Sequence, residues 1–490
     1  MGVPRFSGSS TFEGVLIDWF VDQPTEPPRL PVCVLSREQA VEELQRRQRR
    51  QAMDAAYEAE LILQLADESP DDADPPAGTP GARRPGWAAT RDIAGVSEFF
   101  ASELALVLNR GRGTANHLHH RALVWRDSLP ATFQALSAGD LDLARAAALA
   151  DVLGAAAPEL AQAVEKILLP EAGDLSVARL KVRALALLAE LDATAVDKRR
   201  EEAERNADVF LQPRADGRAT LGADLDADEA VEAYAQLDEL AKMAKADGDP
   251  RPIGQIRAEL FSLLLRRPGG HGQPGVAAHL TITATLDSLA GVSVAAGSVN
   301  GLAITVAHVR ELLARIGALG LTSPDGGSLV FAITDADGRL LATTTVNELL
   351  RLAKKGCAEH PGSDCECAVL GLPSDSGGYS PTGRQETFVT TRDRTCRMPN
   401  CGQRVGWADL DHVIPHSCDG STSCTNLCCL CRTDHRLKTF AHGWRFVMDP
   451  DGTLHVTTPS GVTRTTRPPG LRRPPPAPPP SEQDDDPPPF

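Results

Sequence analysis

The sequence predicts an α+β protein: a mostly helical N-terminal domain carrying β-hairpins, a small cysteine-rich C-terminal region and a disordered Pro-rich tail. Three observations predict it. Apolar residues recur at helical spacing in several segments before residue 355. Asp-Gly pairs sit between apolar or β-branched runs, the local signature of hairpins. Ten of the eleven cysteines fall between Cys357 and Cys431, leaving Cys33 alone upstream.

Residues 1–35 read as an N-terminal extension, because Met1-Gly2-Val3-Pro4-Arg5-Phe6 has no apolar signal core and Phe6 breaks the myristoylation pattern. Export is therefore unsupported, a cytoplasmic location is expected, and metal ligation outranks disulfides for the cysteines. Ser36 followed by Gln39 fits a capping box, so a helix is expected over 36–66. Residues 67–90 gather Pro, Asp, Gly and Ala without periodicity, the composition of a linker. Residues 91–355 read as the mostly helical domain. Leu160, Val164, Ile167 and Leu168 follow Pro158 at helical spacing; Ile256, Leu260, Leu263 and Leu264, then Val309, Leu312, Leu313 and Ile316, repeat the pattern. Asp216-Gly217 and Asp337-Gly338 mark the hairpins between them. The uncharged run from Ser288 to Val309 is long enough to span a bilayer, but its Gly, Ser, Asn300 and Thr305 favour strand and loop, so no membrane contact is expected.

Residues 356–384 form a connector in which Cys357, His360, Cys365 and Cys367 either bind a second zinc or remain reduced thiols. A small domain is expected over 385–447. Asp451-Gly452 makes a closing hairpin over 448–466 with a Thr-rich second arm at its edge. Residues 467–490 carry Pro runs that cannot bury enough apolar surface to offset their ordering entropy.

Composition narrows the function classes. With 42% hydrophobic and 24% charged residues the chain is not fibrous, collagen-like or wholly disordered. Only 4% of residues are aromatic, which leaves little material for base-stacking RNA-binding sheets. The net charge of −16 would repel a polyanion if spread evenly, yet between Arg384 and Arg445 nine basic residues oppose six acidic ones.

Cys396 and Cys401 flank a tight turn, and Cys431 and Asp434 stand at C-x-x-D spacing. Three sulfurs and one carboxylate could close a tetrahedral structural Zn2+ site, with Cys428 and Cys429 as alternatives to the weaker oxygen ligand. The competing reading is a set of buried free cysteines. Between the two half-sites an alternating segment, Ala408 to Pro415, contains Asp411-His412; Gly420 and Asn426-Leu427 follow, then His435 and Lys438 on an expected helix.

This ordered set, from about Arg394 to Trp444, resembles the HNH nuclease signature. The resemblance implies a ββα unit around one divalent metal and an enzyme that hydrolyses DNA phosphodiester bonds. It implies His412 as general base, Asp411 and His435 as ligands of a catalytic Mg2+ or Mn2+, and Asn426 as the brace of the loop behind His412. The chemistry agrees: cleavage needs a water made nucleophilic and positive charge near the developing oxyanion. An imidazole with a pKa of about 6.5 suits the first task. Arg394, Arg397, Arg404, Arg436 and Lys438 are expected to neutralise DNA phosphates. The alternative is a zinc-stabilised nucleic-acid-binding or protein-interaction module without cleavage, in which His412 and His435 join the zinc ligands.

Asp249-Pro250-Arg251 with Arg257-Ala258-Glu259-Leu260, and Arg392-Asp393-Arg394-Thr395-Cys396-Arg397, make the whole chain similar to actinobacterial proteins that carry a domain of unknown function 222 followed by HNH. That resemblance implies no established role for the helical domain; positioning substrate or a protein partner is the expectation.

Overall fold

The computed structural model describes residues 31–76, 93–192, 203–266, 296–315, 329–355 and 370–472, apart from isolated positions among them and a few isolated residues elsewhere. The extension before residue 31, the tail beyond 472, Arg404, and Cys357, Cys365 and Cys367 of the second zinc reading lie outside the described residues. Two compact units divide the chain: Met1–Ala59 with Val124–Leu187, and Glu60–Leu123 with Leu188–Phe490. This division cuts across region 91–355, whose helices fall in both units.

Helix α1 (Arg37–Asp67) begins at the Ser36–Gln39 capping box, in which Gln39 N donates to Ser36 Oγ at 3.2 Å and Ser36 N donates to Gln39 Oε1 at 2.9 Å. Helix α2 (Phe100–Leu108) stops at Asn109, whose φ of 53° is left-handed, and α3 (Arg112–Leu123) follows. After a π-helical turn at Val124–Ser128 come α4 (Pro130–Ala138), α5 (Leu143–Leu153), α6 (Pro158–Ala172) and α7 (Val177–Leu191). Pro158 opens α6, where its missing N–H costs nothing.

In the first unit Leu129, Leu136, Leu149, Leu153, Val164, Leu168 and Leu180 are fully buried, each burial worth about 1.5–3 kcal/mol. Leu129 cannot cap α4, so the buried Glu165 does it from α6: its Oε1 accepts from Thr132 N at 2.6 Å.

The second unit continues with hairpin β1 (Val209–Pro213) and β2 (Ala219–Ala223), turning at Gly217 with φ of 75°. Helices α8 (Ala227–Ala246) and α9 (Ile253–Arg266) follow, joined by the Arg257–Asp238 ion pair. Strands β3 (Ile282–Thr283), β4 (Gly297–Val299) and β5 (Leu302–Ile304) form an antiparallel sheet before α10 (Val306–Arg315). The Ser288–Val309 run thus contains strands and the start of a helix. Among the described residues no helix is long and apolar enough to cross a membrane. Hairpin β6 (Val330–Thr334) and β7 (Leu340–Thr345) leads into α11 (Val346–Lys355).

The cysteine-rich part starts with α12 (Gly383–Asp393), capped by a Thr382–Gln385 box. Strand β8 (Ala408–His412) pairs antiparallel with β9 (Leu427–Cys431), setting Asp411 opposite Cys428 and His412 opposite Leu427. Helix α13 (Arg432–Phe440) follows directly. Strands β10 (Arg445–Met448), β11 (Leu454–Thr457) and β12 (Thr463–Thr466) complete the strands among the described residues. The closing hairpin therefore has a third strand: the arm expected at the edge, β11, is central, and Thr463–Thr466 takes the edge.

Phe99 and Leu106 are buried in one core with Met398, Val413, Leu430, Leu437, Leu454 and Val456. Arg464 Nε and Nη2 donate to the last carbonyls of α2, Leu106 O at 2.8 Å and Val107 O at 3.0 Å. Ser460 N donates to Glu103 Oε1 at 3.0 Å, and Arg436 grips Glu98 with two bonds of 2.8 and 3.0 Å. Residues 98–112 are thus packed into the cysteine-rich region, although they stand nearly three hundred residues before it.

Candidate metal centre and the adjoining carboxylate–histidine site

Cys396 and Cys401 lie on the loop after α12, Cys431 ends β9, and Asp434 sits in the first turn of α13. The loop folds back tightly, with Cys396 N donating to Gln403 O at 2.7 Å, Cys401 N to Met398 O at 3.1 Å, and Asn400 left-handed at φ of 64°. One donor atom from each of the four residues lies within 4.8 Å of all the others. Tetrahedral zinc with ordinary bond lengths sets sulfurs about 3.8 Å apart and sulfur to oxygen about 3.5 Å. Asp434 Oδ2 is 3.2 Å from Cys396 Sγ and 3.0 Å from Cys431 Sγ, so the donor set fits a bound ion of that kind. Cys428 and Cys429 are core residues outside this cluster, and burial pushes the Cys428 thiol up to about 12.

Without a cation the four groups share protons uneasily. Hydrogen bonds with Cys401 and Cys431, then burial, push the Cys396 thiol far above its usual range, while bonds from Cys396 and Cys401 hold Cys431 far below it. Burial, reinforced by Cys431, raises the Asp434 carboxyl to about 6. A divalent cation would relieve this crowding, since thiolate and carboxylate are the forms that bind it. The other Asp434 oxygen, Oδ1, accepts from Arg112 Nη1 at 3.2 Å, a partner with no local signal in the sequence.

Beside the cluster, Asp393 is fully buried between two arginines. It accepts from Arg392 Nε at 2.7 Å, Arg397 Nη1 at 3.2 Å and Cys429 N at 2.8 Å. Arg392 also donates to Cys424 O and Leu427 O at 2.6 Å each, and Arg397 to Gly452 O and Thr466 O at 3.0 and 2.9 Å. The expectation that Arg397 contacts DNA is corrected by this network: at 2% exposure its guanidinium is consumed tying α12 to the C-terminal strands.

On β8 and α13 a second group converges. Asp411 Oδ1 lies 3.5 Å from His435 Nε2, and Asp411 Oδ2 lies 3.0 Å from Lys438 Nζ, without hydrogen-bond angles. His435 Nδ1 faces Asp409 Oδ2 at 3.0 Å; the carboxylate can only accept, so Nδ1 carries a proton and Nε2 is the nitrogen turned toward Asp411. Asp409 also pairs with Arg432 at 3.0 Å. His412, 4% exposed, contacts Thr422 Oγ1 through Nε2 at 2.8 Å. That hydroxyl donates to Gly378 O at 2.7 Å, so the ring must donate to it, leaving Nδ1 as the nitrogen with a free lone pair. Tyr379 stacks on the ring at 5.4 Å, and His416 stands edge-on at 5.7 Å. Burial, with smaller contributions from His416 and Lys438, lowers the His412 pKa against the opposing pull of Asp411, favouring the neutral ring. Asn426 spans the intervening loop: its Oδ1 accepts from Ile414 N at 2.8 Å and its Nδ2 donates to Ile414 O and Ser421 O at 3.0 and 2.9 Å.

The remaining expected phosphate contacts fare unevenly. Arg436 is spent on Glu98, and Lys438, 6% exposed in its side chain, on Asp411. Both are corrected from free surface cations to internally paired ones, on either flank of Leu437, which α13 buries in the core. Arg394 caps α12 in a left-handed conformation and is partly buried.

Fold and site together define the class: a mixed helix-and-sheet protein with a buried three-cysteine, one-carboxylate cluster that could hold a metal ion. The chain belongs to the family described as Domain of unknown function (DUF222), whose model matches residues 38–393. Arg112, Gly378 and Asp393 fall inside the matched region, and all four cluster residues fall beyond it. Uncharacterized protein Rv3776 of Mycobacterium tuberculosis is 49% identical over 90 residues, 18% of this chain and 17% of the relative. Uncharacterized protein Rv2100 of the same species is 47% identical over 90 residues, 18% of this chain and 16% of its own. The match spans about a sixth of the length of these relatives. No solved structure matches.

Proposed function

We propose that the chain is a metal-dependent endonuclease of the HNH type, hydrolysing DNA phosphodiester bonds, with a structural zinc at the cysteine cluster. The observation that carries the reading is the approach of Asp411 Oδ1 to His435 Nε2 at 3.5 Å, beside His412 and apart from the four-donor cluster, which includes neither histidine. Two ligands on one octahedral ion at about 2.1 Å each stand roughly 3 Å apart, close to this spacing. Asp411 and His435 would hold Mg2+ or Mn2+, which when bound supplies positive charge to the scissile phosphate and its leaving oxygen.

The protein's own groups divide the remaining work. Asp409 holds the Nδ1 proton of His435, so that Nε2 is the nitrogen that would face the cation, and Lys438 sets a positive charge 3.0 Å from the second oxygen of Asp411. Thr422 and Tyr379 orient His412, whose Nδ1 takes the proton of the attacking water. Asn426 keeps the loop from Ile414 to Ser421 closed behind that histidine.

The test is nicking of supercoiled plasmid by the full chain with Mg2+ or Mn2+. His412→Ala should slow cutting by about 10²–10⁴-fold while zinc content stays unchanged; undiminished cutting would remove His412 as the base. One observation favours a second reading, in which the module binds without cleaving: Lys438 already neutralises Asp411. A gel shift with no cutting across several divalent metals would select it.

A further inference from the structure

We propose that Arg112, in the family's helical region, is the outer partner that makes Asp434 a metal ligand, so that the metal centre is completed by a segment more than three hundred residues upstream. The inference rests on the zinc reading of the cysteine cluster and adds to it a residue outside the ligand set.

Three thiolates and a carboxylate carry four negative charges against two on the cation, leaving an excess buried where solvent cannot screen it. A carboxylate is the weakest of these four donors and the one most easily turned away. In this protein Asp434 is 2% exposed and its two oxygens face opposite ways: Oδ2 toward Cys396 and Cys431, Oδ1 toward the Arg112 guanidinium at 3.2 Å. Arg112 thereby supplies one positive charge and fixes the rotation of the carboxylate with its inner oxygen on the sulfurs. The arginine is itself held in place. It opens α3 just after the Asn109 turn, where Asn400 of the Cys396–Cys401 loop donates to Asn109 Oδ1 at 3.2 Å. Phe99 and Leu106, buried among the core residues that also include Cys396 and Cys431, seat the preceding helix against the same loop.

The experiment measures zinc retention by the full chain against a competing chelator, independently of any nuclease activity. Arg112→Ala should lower zinc affinity by about 10–100-fold, the usual effect of removing an outer partner of a ligand, with Arg112→Lys recovering part of it. Arg110→Ala, an exposed arginine two residues away, should leave retention unchanged. In an Asp434→Cys background, where no carboxylate needs orienting, Arg112→Ala should have little further effect. Wild-type retention in Arg112→Ala would overturn the proposal, as would an equal loss in the Asp434→Cys background, which would signal general unfolding. If the wild-type chain itself holds no zinc, the reading of the cluster falls, and this proposal with it.

Discussion

Asp393 shows how one residue decides the fate of its neighbours. The sequence makes Arg392, Arg394 and Arg397 look alike, a run of cations entering the cysteine-rich region, yet a single buried carboxylate claims two of them. Removing one partner of a buried charge network leaves the others uncompensated, at a cost of about 3–5 kcal/mol. Asp393→Ala is therefore expected to destabilise the second unit by that amount, read as faster hydrogen exchange of the β9 amides, to which Asp393 is bonded at Cys429. Unchanged exchange would show that the arginines find other partners. Ligand spacing, by contrast, was plain at this scale: Cys396, Cys401, Cys431 and Asp434 stand in one cluster. Arg112 carried no such sign, because its role depends on an approach across more than three hundred residues.

Helix ends are the features of an element most visible in sequence, since a cap involves residues three apart. The Ser36–Gln39 box was readable for that reason, and Thr382–Gln385 carries the same signature ahead of α12. Asp142 caps α5, accepting from Arg145 N at 3.1 Å and pairing with the Arg145 guanidinium. Burial alone would raise its pKa, but the Arg145 hydrogen bonds and charge outweigh it and lower the value below 3.8. The cap therefore stabilises fully above that pH and loses its contribution as pH falls through the lowered folded value. Asp142→Ala should cost about 1 kcal/mol at neutral pH, measured by denaturant unfolding, and the gap between variant and wild type should narrow as pH falls below the ordinary value of 3.8. A gap independent of pH would assign the cost to packing instead. The hairpins obeyed the same local logic at Gly217, Gly338 and Gly452, each with positive φ, and Pro459-Ser460-Gly461, with Gly461 at φ of 88°, makes the turn by which β12 joins β11.

For the molecule as a whole, the main result is that residues 98–112 are built into the cysteine-rich region. A fragment of residues 385–466 would lack Phe99 and Leu106 from its core and the partners of Arg436, Arg464 and Asp434. Burying each of those two side chains is worth about 1.5–3 kcal/mol, a large share of the stability of so small a domain. The fragment is expected to be rapidly degraded by limited proteolysis under conditions where the same segment survives in the full chain. A protease-resistant fragment would mean that the helical contacts are dispensable.

Sequence alone determined what depends on neighbours along the chain: the capped helices, the Asp-Gly hairpins, the alternating strand ending at His412 and the donor spacing of the cysteine cluster. The tertiary structure alone decided which cations are spent internally, which nitrogen of His412 keeps its lone pair, and that α2 shares a core with the cysteine cluster. The physical reason is the range of the forces involved: caps and turns close within a few residues, whereas burial and ion pairing join groups regardless of their separation along the chain.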